Sequence, residues 1–292
     1  MLRGLQGFAK FISAERGVMV FAIAVGAAFL MLDSVAWNQA PYLGVIVFLG
    51  WSGVDALNNV FDEELDILSH PSRAVFTRRL GELGLPIALG LCTLSSLLGA
   101  LTASIYVVFW VVVGIFFGVL YSAPPFRLRQ TLLKPVVNFS VGAVPVLIVA
   151  AFAGASYPSV LILVMVIGTT TAVNSLWEDL ADYVPDVKSG ARTVHIVFGP
   201  RRGMLLTIAL GYALLPLMLL VGVVYKLPLI FYMILFGLAA CVSLRLWLSR
   251  RILGSRDISR LLELGKVLAK DFVIVAMVQT LNLMLSGYLI AK

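Results

Sequence analysis

Long apolar runs, each broken by a short polar or charged stretch, recur from one end of the chain to the other. A helix needs roughly 20 mostly apolar residues to cross the hydrocarbon layer. Runs of that length predict spans at 17–36, 41–60, 85–103, 105–122, 133–152, 158–177, 204–224, 228–248 and 270–290. The pattern predicts an all-α integral membrane fold: one transmembrane domain over 1–292, a bundle of about nine helices around a central cavity. The first run is followed directly by further spans and lacks a clear small-residue cleavage site, so it reads as a span and not a signal peptide. The polar breaks alternate in length. Trp37-Asn38-Gln39, Gly154-Ala155-Ser156-Tyr157 and Lys226-Leu227-Pro228 predict tight hairpins on one side. The long connectors 61–84 and 178–203, and an amphipathic piece near 249–269, fall on the other side, where function is expected.

Composition strengthens this reading. The chain is 61% hydrophobic and 13% charged, with a mean hydropathy of +1.01, whereas a soluble domain carries about a quarter charged residues. A net charge of +7 raises nucleic acid as a partner, but the placement of the cations points to the membrane. All lysines and arginines except Lys226 and Lys292 lie on the side of the long connectors. By the positive-inside rule the N-terminus and those connectors face the cytoplasm, in a multi-pass protein of the cell membrane. Nucleic acid is not an expected partner. Cys92 and Cys241 fall within spans, as small packing residues. His70 and His195 have no ligand-spaced partner and read as ordinary.

Two acidic clusters carry the candidate chemistry. In the first, after the second span, Asn58, Asp62 and Asp66 stand at i, i+4 and i+8, with Glu63 and Glu64 between them and Asp55 one turn earlier. On a continuing helix they share one face at about 6 Å per step. In the second, after the sixth span, Asn174, Glu178, Asp182 and Asp186 repeat the spacing beside Asp179, with Pro185 interrupting the helix. Like charges stacked in this way repel unless a cation sits among them. Oxygen ligands without His or Cys suit Mg²⁺ or Ca²⁺, and Mg²⁺ suits a phosphate-bearing substrate. The clusters lie four spans apart, which preserves orientation and predicts two four-helix pseudo-repeats plus one helix. Apart from Asp33 and Asp55, no isolated ionised residue is expected within a span.

The spacings resemble the UbiA superfamily of intramembrane prenyltransferases, with its N/D-xxx-D-xxx-D and D-xxx-D motifs after the second and sixth helices. Asn58, Asp62 and Asp66 match the first, and Asp182 and Asp186 the second. Tyr121-Ser122-Ala123-Pro124-Pro125-Phe126-Arg127-Leu128-Arg129 is similar to the family's Tyr-Ser-x-Pro-Pro-x-Arg-Leu-Lys segment, and Asp186-Val187-Lys188-Ser189-Gly190-Ala191-Arg192-Thr193 to its Asp-x-Lys-x-Gly-x-Arg-Thr run. The chain departs from the pattern at Arg129, where Lys is usual, at Pro185, where Gly is frequent, and at Arg73-Ala74, where Arg-Pro is frequent.

The resemblance implies prenyl transfer from an isoprenyl diphosphate to a lipophilic or aromatic acceptor, with Mg²⁺ as cofactor and the bilayer as surroundings. It assigns Asn58, Asp62, Asp66, Asp182 and Asp186 to the metal. Arg73, Arg127, Arg129, Lys188 and Arg192 are expected on phosphate oxygens, where guanidinium groups clamp two at once. Tyr121, Arg16, Asp55 and Asp179 are expected to face substrate. The acceptor stays open between an aromatic such as 4-hydroxybenzoate and a prenylated glycerol phosphate. An apolar pocket would favour the first and an extra Arg/Lys cluster the second. From a different class, a cation-coupled secondary transporter also carries acids and internal repeats. Its acids belong near the midplane, whereas these lie at one face.

Overall fold

A computed structural model describes residues 2–64, 67, 71–155, 157–255 and 257–290 of the chain. Among them, nine helices are long and apolar enough to cross a membrane. After a short helix α1 (Leu2–Phe11), the spans are α2 (Ala14–Met31), α3 (Ala40–Phe61), α5 (Gly84–Ala100), α6 (Ile105–Ser122), α7 (Lys134–Ala153), α8 (Tyr157–Ala181), α11 (Pro200–Val224), α12 (Leu229–Leu248) and α14 (Ile258–Ile290). Four shorter helices line the side of the long connectors: α4 (Pro71–Leu80), α9 (Tyr183–Lys188), α10 (Val194–Phe198) and α13 (Arg250–Leu253).

Packing repeats after four spans. α2 lies on α3, α3 on α5, α5 on α6 and α6 on α7; in the second half α7 lies on α8, α8 on α11, α11 on α12 and α12 on α14, and α14 closes the bundle against α2. Without a hydrophobic drive between helices in lipid, such contacts depend on small residues that let backbones approach. A Cβ on Gly142 of α7 would overlap Thr171 of α8. Thr171 Oγ1 donates across that seam to the Asn138 carbonyl at 2.9 Å.

The last span is longer than the layer it crosses. α14 has 33 residues, about 50 Å at 1.5 Å per residue, against a hydrocarbon layer of about 30 Å. The amphipathic piece expected near 249–269 is therefore largely the start of the ninth span's own helix. Its extra turns bury Leu261, Leu264 and Leu268 against Val173, Trp177, Leu180 and Met204.

The larger cavity is walled mainly by helices of the second half. A space of about 450 Å³ lies among α8, α11, α12 and α14, with Met19 and Ile23 of α2 on its wall. The corresponding space among α3, α5, α6 and α7 is about 40 Å³.

Candidate active site

The first acidic turn begins where α3 stops. Phe61 is its last helical residue, and Asp62 caps it at φ −106°, ψ 9°. The ladder from Asn58 therefore does not continue as one straight helix: the repulsion expected among stacked carboxylates is relieved by a bend and by arginines. Asp62 is fully buried. Arg129 Nη1 pairs with its Oδ2, and Arg127 Nη2 stands 3.4 Å from its Oδ1. Arg127 also donates to the Phe61 carbonyl at 2.7 Å, satisfying a helix-end acceptor. Asn58 Oδ1 accepts from Ser122 Oγ at 3.0 Å and from Arg129 at 3.4 Å. Asp66 and His70 lie outside the described residues.

The second turn bends at the corresponding place. α8 ends at Ala181, Asp182 sits at φ −97°, ψ 15°, and α9 resumes at Tyr183. The Asp182 N–H bonds to Glu178 and the Asp186 N–H to Asp182, at 2.8 and 2.9 Å. The interruption thus falls at Asp182, while Pro185 sits within the first turn of α9, where a missing N–H costs little. Asp186 is half-buried. Burial raises its carboxyl above the ordinary range, Lys134 and Arg129 pull it back, and Asp182 pushes it up. Arg129 pairs with Asp62 and lies within electrostatic reach of Asp186. The backbone agrees: the Arg192 N–H donates to the Gln130 carbonyl at 2.7 Å, tying the second connector to the strip that carries Arg127 and Arg129. Lys188 and the Arg192 side chain are exposed at the rim.

Beneath the two turns, Arg16 Nη2 pairs with Glu178 Oε1 at 2.6 Å, and Asn174 holds the same oxygen at 3.0 Å. Asp55 and Tyr121 lie within electrostatic reach of Arg16, and Arg73 of Glu178. Asp55 Oδ2 is buried without a hydrogen-bond partner. The structure therefore gathers Asn58, Asp62, Arg127, Arg129, Asp182, Asp186, Tyr121, Arg16 and Asp55 around one mouth.

Asp179 is fully buried and paired with Lys134 at the start of α7, and the pair lies within electrostatic reach of Glu178 and Asp186. Sequence reasoning used Lys134 only as a topology signal, although a lysine directly before Pro135 at the head of an apolar run marks a cation that a span must neutralise. Beside the isolated acids expected at Asp33 and Asp55, the helices of the spans carry paired charges, Lys134 with Asp179 and Arg245 with Asp271. α8 runs on to Ala181 and takes Asp179 inside, while Asp33 lies exposed beyond the end of α2. His195 is also buried. Burial, with Lys134 adding to it, pushes its imidazole down to about 4, and its Nδ1 has no partner.

Among the described residues no three His, Cys, Asp or Glu side chains converge as a closed metal cage. The donors at the mouth are all oxygens, and the cations beside them match a polyanion.

No curated protein matches the chain in sequence. Its fold is similar to that of digeranylgeranylglyceryl phosphate synthase in membranes, with a TM-score of 0.70 at 16% identity over 99% of both chains. It is also similar to a UbiA homolog from Archaeoglobus fulgidus bound to DMAPP and Mg²⁺, with a TM-score of 0.67 at 16% identity over 97% of this chain and 99% of that one. An apo UbiA homolog from Aeropyrum pernix K1 gives 0.62 at 18% identity, over 91% of this chain and 98% of that one. The model of the UbiA prenyltransferase family matches residues 19–264, and with acidic turns after the second and sixth spans the chain belongs to that family, as a multi-pass membrane prenyltransferase.

Proposed function

We propose that the chain transfers a prenyl group from an isoprenyl diphosphate to a lipophilic or aromatic acceptor such as 4-hydroxybenzoate. The observation that carries this reading is that the strip bearing Arg127 and Arg129 pairs with Asp62 of the first acidic turn and is tied by the Gln130 carbonyl to the Arg192 N–H of the second connector. A diphosphate offers these guanidinium groups a better-matched partner than a carboxylate, bidentate and more highly charged. Asn58, Asp62, Asp66, Asp182 and Asp186 would hold Mg²⁺, which neutralises charge developing on the leaving diphosphate. The metal-bound homolog from Archaeoglobus fulgidus supports that assignment. The acidic mouth and the N-terminus face the cytoplasm in this reading.

The allylic C–O bond breaks with its electron pair going to the diphosphate oxygen. Arg127 and Arg129, already oriented by Asp62 and the Phe61 carbonyl, stabilise that oxygen's charge; Arg73, Lys188 and Arg192 supply further cations at the rim. The allylic carbon then bonds to the acceptor, which loses a proton. Arg16, held by Glu178, lies one turn above Met19 on the cavity wall. The reacting end of a prenyl chain lying in the cavity would therefore meet the acidic mouth near this pair. Keeping the chain in lipid avoids about 0.8 kcal/mol per methylene of exposure to water.

The cavity walls are mostly apolar, which favours an aromatic ring over an acceptor that carries a phosphate. A prenylated glycerol phosphate is the second reading. It draws on Arg245 at the cavity rim and on the likeness to digeranylgeranylglyceryl phosphate synthase. The test is Mg²⁺-dependent diphosphate release from geranyl and geranylgeranyl diphosphate by detergent-purified protein across a panel of acceptors. Release that requires metal and is accelerated by one acceptor class establishes the reaction. A folded wild-type protein that neither binds nor cleaves either donor overturns it.

A further inference from the structure

The first helix belongs to no span and to neither acidic turn. α1 places Leu2, Leu5, Phe8 and Phe11 at intervals of three, with Arg3, Gln6 and Lys10 beside them and no acid. An apolar stripe flanked by cations is the pattern of a helix lying in a membrane interface. Only one end of the stripe is covered by protein. Phe11 and Ile12 are buried against Ala56, Leu57 and Ala88, whereas Leu5 is 60% and Phe8 37% exposed. Two residues separate α1 from α2, and Ser13 takes the left-handed conformation at φ 45°. This turn holds α1 at the head of the first span, on the side of the acidic mouth.

The covered end connects to the acidic site. Asn59, buried and adjacent to Asn58, donates from Nδ2 to the Phe11 carbonyl at 2.7 Å. The Phe76 ring lies so close to the α1 backbone that a Cβ on Gly7 would overlap it, and Lys10 Nζ donates to Ser72 Oγ at 3.0 Å. Ser72 and Phe76 flank Arg73 on α4, and Arg78 of that helix holds Glu63 at 2.7 Å. α1 thus touches both elements that border the first acidic turn, the end of α3 and α4.

We propose that α1 is a membrane-seated brace: Leu5 and Phe8 insert into an anionic lipid surface, and Asn59 transmits that seating to the first acidic turn. The helix sequence carries basic residues and no acid, and this net positive charge selects the anionic surface. Asn59 acts here as a positioning residue. The effect on turnover rests on reading that turn as the diphosphate site; the seating does not.

The full chain is reconstituted in vesicles with and without anionic phospholipid, as wild type, Leu5→Glu and Asn59→Leu. Three readouts are taken: depth of a spin label at Leu5→Cys on a Cys92→Ala, Cys241→Ala background, hydrogen exchange over 58–63, and diphosphate release. The expected result is a label relaxed by lipid-borne and not aqueous reagent, with 58–63 exchanging about fivefold more slowly on anionic vesicles in the wild type only. kcat falls about fivefold in Leu5→Glu with KM for the donor unchanged. A water-accessible label, or equal exchange in wild type and Leu5→Glu on both vesicles, overturns the brace. Absence of release from every wild-type sample overturns the prenyl-transfer reading instead, and label and exchange still decide the brace. Leu5 is exposed, so its variant keeps the test valid even if Asn59→Leu does not fold.

Discussion

The two halves of the bundle share one helix arrangement and differ in how tightly it is filled. Among α3, α5, α6 and α7 the interior is nearly closed: Gly118 of α6 admits Val54 of α3, and Gly114 of the same helix admits Val144 of α7. Among α8, α11, α12 and α14, Gly222 and Gly265 are as closely approached, by Tyr232 and Leu180, but Gly211 on the cavity wall meets only Val173 at 4.0 Å and exposed Gly237 meets nothing. α12 packs on α11 and α14, and the space of about 450 Å³ stands between it and α8. Each half supplies one acidic turn, and of the two spaces the larger, about 450 Å³ against about 40 Å³, lies in the second half. Small residues at the crossings of the first half, Gly114 and Gly118, let its helices close.

The sharpest way to break the comparison is at the acids. Asp62→Asn and Asp182→Asn should each lower kcat for diphosphate release by about 10²–10³, as loss of one charge-stabilising group does. Asp62→Asn should also lower the melting temperature, because it leaves two arginines around a buried amide, whereas half-buried Asp182 is spared that cost. Equal melting of the two variants would contradict the asymmetry.

Acid should open the second half first. A histidine depressed in the folded state is most stabilising when neutral, so His195 contributes fully above its ordinary value of about 6.5 and its contribution is lost as pH falls towards about 4. The full loss is about 3 kcal/mol. Thermal melts from pH 7 to pH 4 should fall more steeply in wild type than in His195→Gln, which cannot take up that proton.

Packing gives the next effect. Gly118→Leu should destabilise by about 1–3 kcal/mol through overpacking against Val54, while Gly237→Leu, in open surroundings, should leave the melting temperature unchanged. Smallest is a change of selectivity. Ala239 lines the large cavity, and Ala239→Phe should reduce kcat/KM for geranylgeranyl diphosphate relative to geranyl diphosphate by about tenfold, or 1.4 kcal/mol. An unchanged ratio would place the donor chain elsewhere.

Much of the molecule can be read from the chain, for a physical reason. Burial of a backbone in hydrocarbon leaves the helix as the solution for an apolar run, so nine runs determine nine helices. Spacings of four residues determine which acids share a face, so Asn58 with Asp62, and Asp182 with Asp186, were legible. Tertiary structure decided the rest, because it depends on groups far apart in sequence. Arg129 meets Asp62 from 67 positions away and Lys134 meets Asp179 from 45. No local periodicity encodes those meetings, nor the bends at Asp62 and Asp182 that carry the acids out of a straight ladder. The cavity too was beyond the sequence's reach. Two similar apolar halves differ only in which small residue faces which neighbour across a crossing, and that is fixed when the helices pack.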